Sequence, residues 1–392
     1  MSSKSYDVGG VRFARPFHIQ RLGHIGLSQT DLEACTDFWV DNLGFRKTDA
    51  LQPPGIPRPL GWFTTYGADH HALVQIDALL EQGGPHYARG ITVNQISFQV
   101  GTLKEVADAN AYFKENGIET WRYGRDFPGS NWAVYAYDPD GFRVELFYGI
   151  EQIGWDRRSK PVQLYSMPDY TPQLPERAEL SEIKAAETNH PNMGAGFRPA
   201  EDAPFAYDVG GVMLQRPFAI NRLGPVYLFV EDVDRSEAFY TRHFGLVCTE
   251  TIIWRGHRAA FLRHGADHHV IGLFPAALRG TLELDQRTKL FSFGIELGSY
   301  QQLRDAVAWL RRRGLQVRTD LPRELRPGID YAALVQDPSG HAALLYCGME
   351  QVGWEGKPRA AGERREVLSE WPETLDAMSD TYASLSRQGP MA

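Results

Sequence analysis

YDVGGVRFARPFHIQRLG occupies residues 6–23, and YDVGGVMLQRPFAINRLG occupies residues 207–224. The correspondence continues along the chain. GADHHALVQI (67–76) returns as GADHHVIGLF (265–274), DPDGFRVELFYG (138–149) as DPSGHAALLYCG (337–348), and GIEQIGW (149–155) as GMEQVGW (348–354). The offset stays near 200 residues throughout. The chain is therefore an internal duplication, and each copy is a control for the other. A polar group that one copy holds and the other replaces, with the hydrophobic pattern kept, is not needed for folding.

Each copy divides again. In the first, RLGHIGLSQ (21–29) alternates as a strand does, and Thr30 or Asp31 stands ready to cap a helix. That helix, DLEACTDFWVDNL, puts Leu32, Cys35, Phe38 and Trp39 on one face, and Gly44 ends it. GWFTTYGA and HHALVQID follow as strands. The order then recurs: strand VNQISFQVG (93–101), a helix from Leu103 to Gly117, and strands around WRYG, NWAVYAYD and FRVELFYG, with DPDG (138–141) as a turn. Each unit reads strand–helix–strand–strand–strand, and four such βαβββ modules fill the chain as an α+β protein. The expected boundaries are an N-terminal arm over 1–16, a first domain over 17–150, a proline-bearing connecting segment over 151–216, a second domain over 217–350, and a charged tail with helical stretches over 351–392. Two modules side by side can enclose a concave cavity suited to a small ligand.

Composition narrows the function classes. The chain of 392 residues is 43% apolar and 12% aromatic, enough for buried cores. A net charge of −8 argues against a nucleic-acid partner, because phosphate binding needs a basic surface. Cys35, Cys248 and Cys347 are few and odd in number, which fits a reducing compartment. No apolar run suits a signal peptide or a membrane span. The expectation is a soluble cytoplasmic protein with no membrane partner.

Chemistry concentrates in the first copy. His24 stands on the opening strand of its first module. Gln95 takes the matching place in the second module when GHIGLSQ is laid over NQISFQV without a gap, and Glu145 lies on the closing strand. Imidazole and carboxylate are good ligands for divalent metals, and an amide oxygen is a weaker one. The second copy has Pro225, Ser292 and Leu344 at these places. A metal is therefore expected in the first copy alone.

The four modules, HHVIGLFP and DPDGFRVELFYG resemble the vicinal oxygen chelate superfamily, most closely its type I extradiol ring-cleaving dioxygenases. The resemblance covers residues of about 17–150 and 218–350. It implies two tandem vicinal-oxygen-chelate domains and a metal, Fe(II) foremost or Mn(II), held by two His and one Glu. Carried onto this sequence, His24 is the first ligand and Glu145 the third, while the second place holds Gln95 where the family has His. The same resemblance implies Tyr135 as an active-site tyrosine and His71 as the acid–base group, with His70 one residue off the match. Asp126 occupies the place of a further family histidine. His70 and His71, taken as strand neighbours, are expected to face opposite sides. Trp62, Phe63, Trp132 and Phe147 are candidates to line the pocket. A small aromatic substrate and O₂ are the implied partners, in a homo-oligomer. Two other functions stay open: a metal-dependent isomerase, epimerase or lyase of the same superfamily, where Gln ligands also occur, and a non-catalytic protein binding a small aromatic compound.

Overall fold

A computed structural model describes residues 4–126, 128–129, 131–161, 164, 184, 187–200, 204–352 and 357–376. Much of the expected connecting segment and the end of the expected tail lie outside the described residues. The chain divides into two compact units, one running to Glu201 and taking in His243–Gly245, the other comprising the rest.

The first unit opens on a hairpin, β1 (Tyr6–Val8) and β2 (Val11–Phe13), whose turn is closed by Gly10 N donating to Asp7 Oδ1 at 2.9 Å. This is the repeated YDVGG. Two modules follow: β3 (Ile19–Gln29), α1 (Leu32–Asp37), β4 (Arg46–Leu51), β5 (Gly61–Thr65) and β6 (Leu73–Asp77), then β7 (Val93–Val100), α2 (Leu103–Glu115), β8 (Thr120–Arg125), β9 (Trp132–Tyr137) and β10 (Arg143–Tyr148). They form one eight-stranded sheet in the order β4-β5-β6-β3-β7-β10-β9-β8. The order is symmetric about the β3–β7 seam, as expected of two equivalent modules joined through their first strands. Asp31 caps α1 by accepting from Ala34 N at 3.1 Å, and Thr102 caps α2 by accepting from Glu105 N at 3.2 Å. The buried stripe of α2, including Leu103, Val106, Ala109 and Phe113, packs on β8, β9 and β10. The first helix departs from the simple reading: after Asp37 it widens into a π-turn over Phe38–Leu43. Gly44 N bonds to Trp39 O, and Gly44 takes φ 101°, so the expected terminator holds.

The second unit repeats this plan with β11 (Tyr207–Val209), β12 (Val212–Leu214), β13 (Ile220–Val230), α3 (Val233–Phe239), β14 (Val247–Trp254), β15 (His257–Arg263), β16 (Ile271–Pro275), β17 (Leu290–Leu297), α4 (Tyr300–Arg312), β18 (Ala332–Gln336) and β19 (Ala342–Tyr346). Its main sheet has seven strands, β14-β15-β16-β13-β17-β19-β18. The fourth module thus lacks the edge strand that β8 supplies in the first unit; a lone bridge, Arg318 to Leu334, marks its place. Pro322 follows that bridge, and proline cannot donate to a ladder. The described part of the tail holds only a short 3-10 turn, Ala361–Glu363, and packs through Arg364 onto Glu250.

Candidate functional site

Strand register brings the site together. In the antiparallel β3–β7 pair His24 faces Ser97 and Gly26 faces Gln95. In the parallel β7–β10 pair Ser97 faces Glu145, and across β9–β10 Glu145 faces Tyr135. Side chains directly opposite share a face, so His24, Ser97, Glu145 and Tyr135 form one polar row across four strands. A bulge between Leu22 and His24 sets this register. Gly23 lies in it, and a Cβ there would come within 2.4 Å of the Phe147 ring, which packs against the His24 ring at 4.7 Å.

At the centre of the row His24 Nε2 donates to Glu145 Oε2 at 2.9 Å, and both side chains are 0% exposed. Ser97 Oγ also donates to Oε2, and Asn131 Nδ2 donates to Oε1 at 2.9 Å. Burial raises the Glu145 carboxyl, but His24, Ser97 and Arg122 outweigh it and hold the group below its ordinary value. It is a carboxylate at neutral pH. His24 Nδ1 has no hydrogen-bond partner, so the bond to Glu145 and the packing of Phe147 and His71 orient that ring.

A second cluster adjoins. Tyr135 donates its phenolic hydrogen to Asp126, and Arg122 pairs with the other Asp126 oxygen. Burial pushes the Asp126 carboxyl up to about 6, against the pull of Arg122. Burial, with Asp126 and Glu145 nearby, pushes Tyr135 well up, so it stays a neutral donor.

These groups flank a cavity of about 310 Å³ lined by Leu51, Phe63, Val74 and Ile76 from one half of the sheet and Trp121, Arg122, Asp126, Asn131 and Tyr135 from the other. His71 and Gln95 line it too. The two halves must therefore curl around a common space of the size that holds a small ligand. His24 and Glu145 lie directly behind its wall: His71 packs edge-on to His24 at 4.4 Å, and Asn131 bridges to Glu145. Of the aromatic side chains expected in the lining, Phe63 is there. Trp62 alternates away and donates to Glu33 Oε1 at 2.9 Å. Trp132 belongs to a different cleft with Arg125 and Tyr148, and Phe147 sits beneath His24.

The histidine pair corrects the strand reading. β6 begins only at Leu73, so His70 and His71 lie in the turn before it and the two-residue alternation does not govern them. Both are buried, both pack on Phe63, and their Nδ1 atoms meet at 3.0 Å. Only His71 lines the cavity; His70 is behind it, with Asp49 Oδ2 3.5 Å from its Nε2. Burial first, then His24 and His70, lower the His71 pKa well below the usual range, so it is neutral at pH 7.

The pair His24–Glu145 fits a metal in chemistry and spacing. Two cis ligands, each about 2.1 Å from a divalent ion, stand about 3.0 Å apart, near the 2.9 Å seen. Among the described residues no group of three His, Cys, Asp or Glu side chains is arranged to hold a metal, so any third protein donor is of another type. Gln95 is on the same sheet face and lines the cavity. Ser97 and Asn131 escaped the sequence reading: a gapless overlay of the two modules aligns His24 with Gln95, whereas antiparallel pairing sets Ser97 opposite His24.

The second unit has no such row. Pro225, Gly294, Leu344 and Leu334 stand at the places of His24, Ser97, Glu145 and Tyr135, as the equivalent pairings Gly294 to Leu344 and Leu334 to Leu344 show. Tyr227, Phe261, Phe274 and Phe291 pack into a continuous apolar core where the first unit has its cavity.

The sequence model of the Glyoxalase/Bleomycin resistance protein/Dioxygenase superfamily matches residues 21–146 and 220–344. Metapyrocatechase 2 of Cupriavidus necator is 28% identical over 137 residues, 34% of this chain and 38% of that protein. Metapyrocatechase of Geobacillus stearothermophilus is 27% identical over 162 residues, 40% of this chain and 46% of that protein. The matches thus span less than half of either relative's own length. Among solved structures, homoprotocatechuate 2,3-dioxygenase from Arthrobacter globiformis aligns with a TM-score of 0.54 at 20% identity, covering 86% of this chain and 83% of that one. A Mn(II)-bound glyoxalase from Novosphingobium aromaticivorans aligns with a TM-score of 0.55 at 13% identity, covering 86% and 85%. At these identities the structures speak for the fold, and the fold agrees with the two-copy match along most of the chain: this protein belongs to the Glyoxalase/Bleomycin resistance protein/Dioxygenase superfamily.

Proposed function

We propose that the first unit is a metal-dependent extradiol-type dioxygenase that cleaves a catecholic or related aromatic substrate with O₂. His24, Glu145 and Gln95 would hold the metal, Fe(II) or else Mn(II). The observation that supports this best is the fully buried His24–Glu145 pair, 2.9 Å apart, behind a cavity that His71 and Tyr135 also border. An isolated buried carboxylate is costly, and the second unit folds with leucine in its place, so the pair serves something other than folding.

The metal supplies Lewis acidity and a path for electrons between substrate and O₂. The chain's own residues do the rest. Leu51, Phe63, Val74 and Ile76 offer flat apolar walls to a ring and exclude water. His71, held neutral, accepts a proton from a substrate hydroxyl. Tyr135, its one phenolic hydrogen held by Asp126, presents a fixed phenolic oxygen that accepts from a substrate hydroxyl. Ser97 and Asn131 hold the Glu145 carboxylate in place from two sides.

The test is anaerobic reconstitution with Fe(II) followed by an O₂-electrode trace with a panel of catechols. The expected result is catechol-dependent O₂ uptake that Glu145→Leu abolishes. Metal uptake without O₂ consumption for any catechol would remove the dioxygenase reading. The protonatable Asp126, bonded to Tyr135 where the dioxygenase pattern has histidine, favours one second reading: proton transfer on an enolisable substrate by a metal-dependent isomerase or lyase. Turnover of such a substrate under strict anaerobiosis would distinguish it.

A further inference from the structure

The repeated GADHH segment builds the same chain of groups twice. In the second unit Glu250 Oε2 lies 2.9 Å from His268 Nε2, His268 Nδ1 lies 2.9 Å from His269 Nδ1, and His269 Nε2 lies 2.7 Å from the Tyr227 hydroxyl. The Glu250 carboxylate can only accept, so His268 Nε2 donates to it, and at the other end the un-ionised Tyr227 phenol has a hydrogen to give His269 Nε2. A neutral imidazole has one donor and one acceptor nitrogen. His269 therefore carries its hydrogen on Nδ1 and donates to His268 Nδ1, and His268 Nε2 donates to Glu250. Each hydrogen has a single consistent direction.

The first unit places an acid and two imidazoles in the same order, with the phenol absent and the acid set further back. Asp49 Oδ2 is the carboxylate oxygen facing His70 Nε2, 3.5 Å away and not hydrogen-bonded to it, and His70 Nδ1 meets His71 Nδ1 at 3.0 Å. The same ordering puts the His71 hydrogen on Nδ1 and leaves Nε2 a bare acceptor. The missing member is the phenol. Tyr227 pairs with Gly272 on β16 and Ser292 on β17; the residue in that register in the first unit is Gly26, paired with Val74 and Gln95. A Cβ on Gly26 would meet Gln95 Cγ at 2.8 Å, so even an alanine would crowd the cavity wall there. In the second unit the Tyr227 ring packs among Phe261, Phe274 and Phe291, the counterparts of Phe63, Ile76 and Asn94, which line the first unit's cavity. The second unit carries its own phenol where the first has open space.

We propose that Asp49 and His70 are positioning residues that fix His71 with an unprotonated Nε2, and that the cavity takes a phenolic hydroxyl donating to that nitrogen, in the place Tyr227 fills in the second unit. The ligand class rests on the cavity being the substrate site proposed above; the relay does not. Asp49 and His70 touch neither metal nor substrate and act through His71 alone. The ether of the same phenol, having no hydrogen to donate, is a poor occupant.

The test uses full-length, metal-free protein labelled with ¹⁵N-histidine, read by long-range ¹H–¹⁵N correlation, with phenol and anisole as probes. The expected result is an unprotonated Nε2 on His71 and phenol binding on the order of tenfold tighter than anisole, the value of one hydrogen bond. Asp49→Ala should scramble the His71 tautomer and erase the preference for phenol. Asp49→Glu, which installs the acid of the second unit, should restore both. The His269 signals should not move in either variant. A protonated His71 Nε2 in the wild type, equal binding of phenol and anisole, or an Asp49→Ala protein with unchanged tautomer and preference would each overturn the inference. The wild-type arms stand even where Asp49→Ala fails to fold. Because no metal or turnover is involved, a phenol preference in a protein that neither takes up metal nor consumes O₂ would keep this inference and remove the proposed function; the reverse pattern would do the opposite.

Discussion

Replacing His24 and Glu145 by leucine together should cost less stability than the sum of the two single replacements. In the metal-free protein the two side chains are each 0% exposed and bonded at 2.9 Å. Glu145→Leu strips the acceptor from three buried donors, His24 Nε2, Ser97 Oγ and Asn131 Nδ2. His24→Leu leaves a carboxylate buried with only neutral donors. Removing one partner of a buried pair typically costs about 3–5 kcal/mol, whereas replacing both by apolar groups is often neutral or better. The double variant still strands Ser97 and Asn131, at roughly 1–3 kcal/mol for an unmade bond, but it gains apolar packing of the sort Pro225 and Leu344 supply in the second unit. The coupling between the two sites should therefore be at least about 2 kcal/mol, with the double variant no less stable than the weaker single. The assay is urea unfolding of the metal-free proteins, with hydrogen exchange in β10 as a readout confined to the first unit. Strictly additive losses would refute the reasoning, because they would mean that the pair is not a coupled, dispensable unit laid over an apolar fold.

Other outcomes follow from the same geometry. Gln95→His should tighten Fe(II) binding, measured by competition with a chelator, because it replaces an amide by an imidazole on the face that carries His24; weaker binding would mean that Gln95 is not directed at the ion. His71→Phe should keep metal content but lower turnover by on the order of 10²–10⁴, as loss of an acid–base group does; full activity would exclude His71 from proton transfer. In the second unit the Glu250 carboxyl is raised by burial but held down to about 2 by its bonds to His268 and Arg364. A folded-state pKa below the unfolded one gives stability that is present above about pH 4.3 and lost as pH falls toward 2. Wild-type stability should fall across that window, and Glu250→Gln should flatten the fall; identical acid limbs would rule the contribution out.

The architecture was legible because it was written twice. Period-two runs around His24, Gln95 and Glu145 and the cap-and-glycine brackets of Asp31 and Gly44 specify modules whose strands then pair in register. Three features were not legible. The π-turn after Asp37 depends on how Phe38 and Trp39 pack, and helical periodicity is blind to a single widened turn. The His70–His71 arrangement is hidden because the apolar run suggests a strand from His70, whereas β6 begins three residues later at Leu73. Ser97 and Asn131 went unnoticed because short neutral side chains carry no signal until register places them against Glu145. One clue lies in plain view: glycine at 26 aligns with tyrosine at 227, and that exchange, with Phe274 and Phe291 at the places of Ile76 and Asn94, fills in the second unit the space the first leaves open.

The most direct test of the metal centre is elemental analysis after anaerobic reconstitution with Fe(II), on the wild type and on Glu145→Leu. One equivalent of iron per chain in the wild type, lost in the variant while both proteins keep the same fold by circular dichroism, is the predicted result. Two equivalents, or iron retained without Glu145, or none in either protein, would contradict a single centre built on His24 and Glu145.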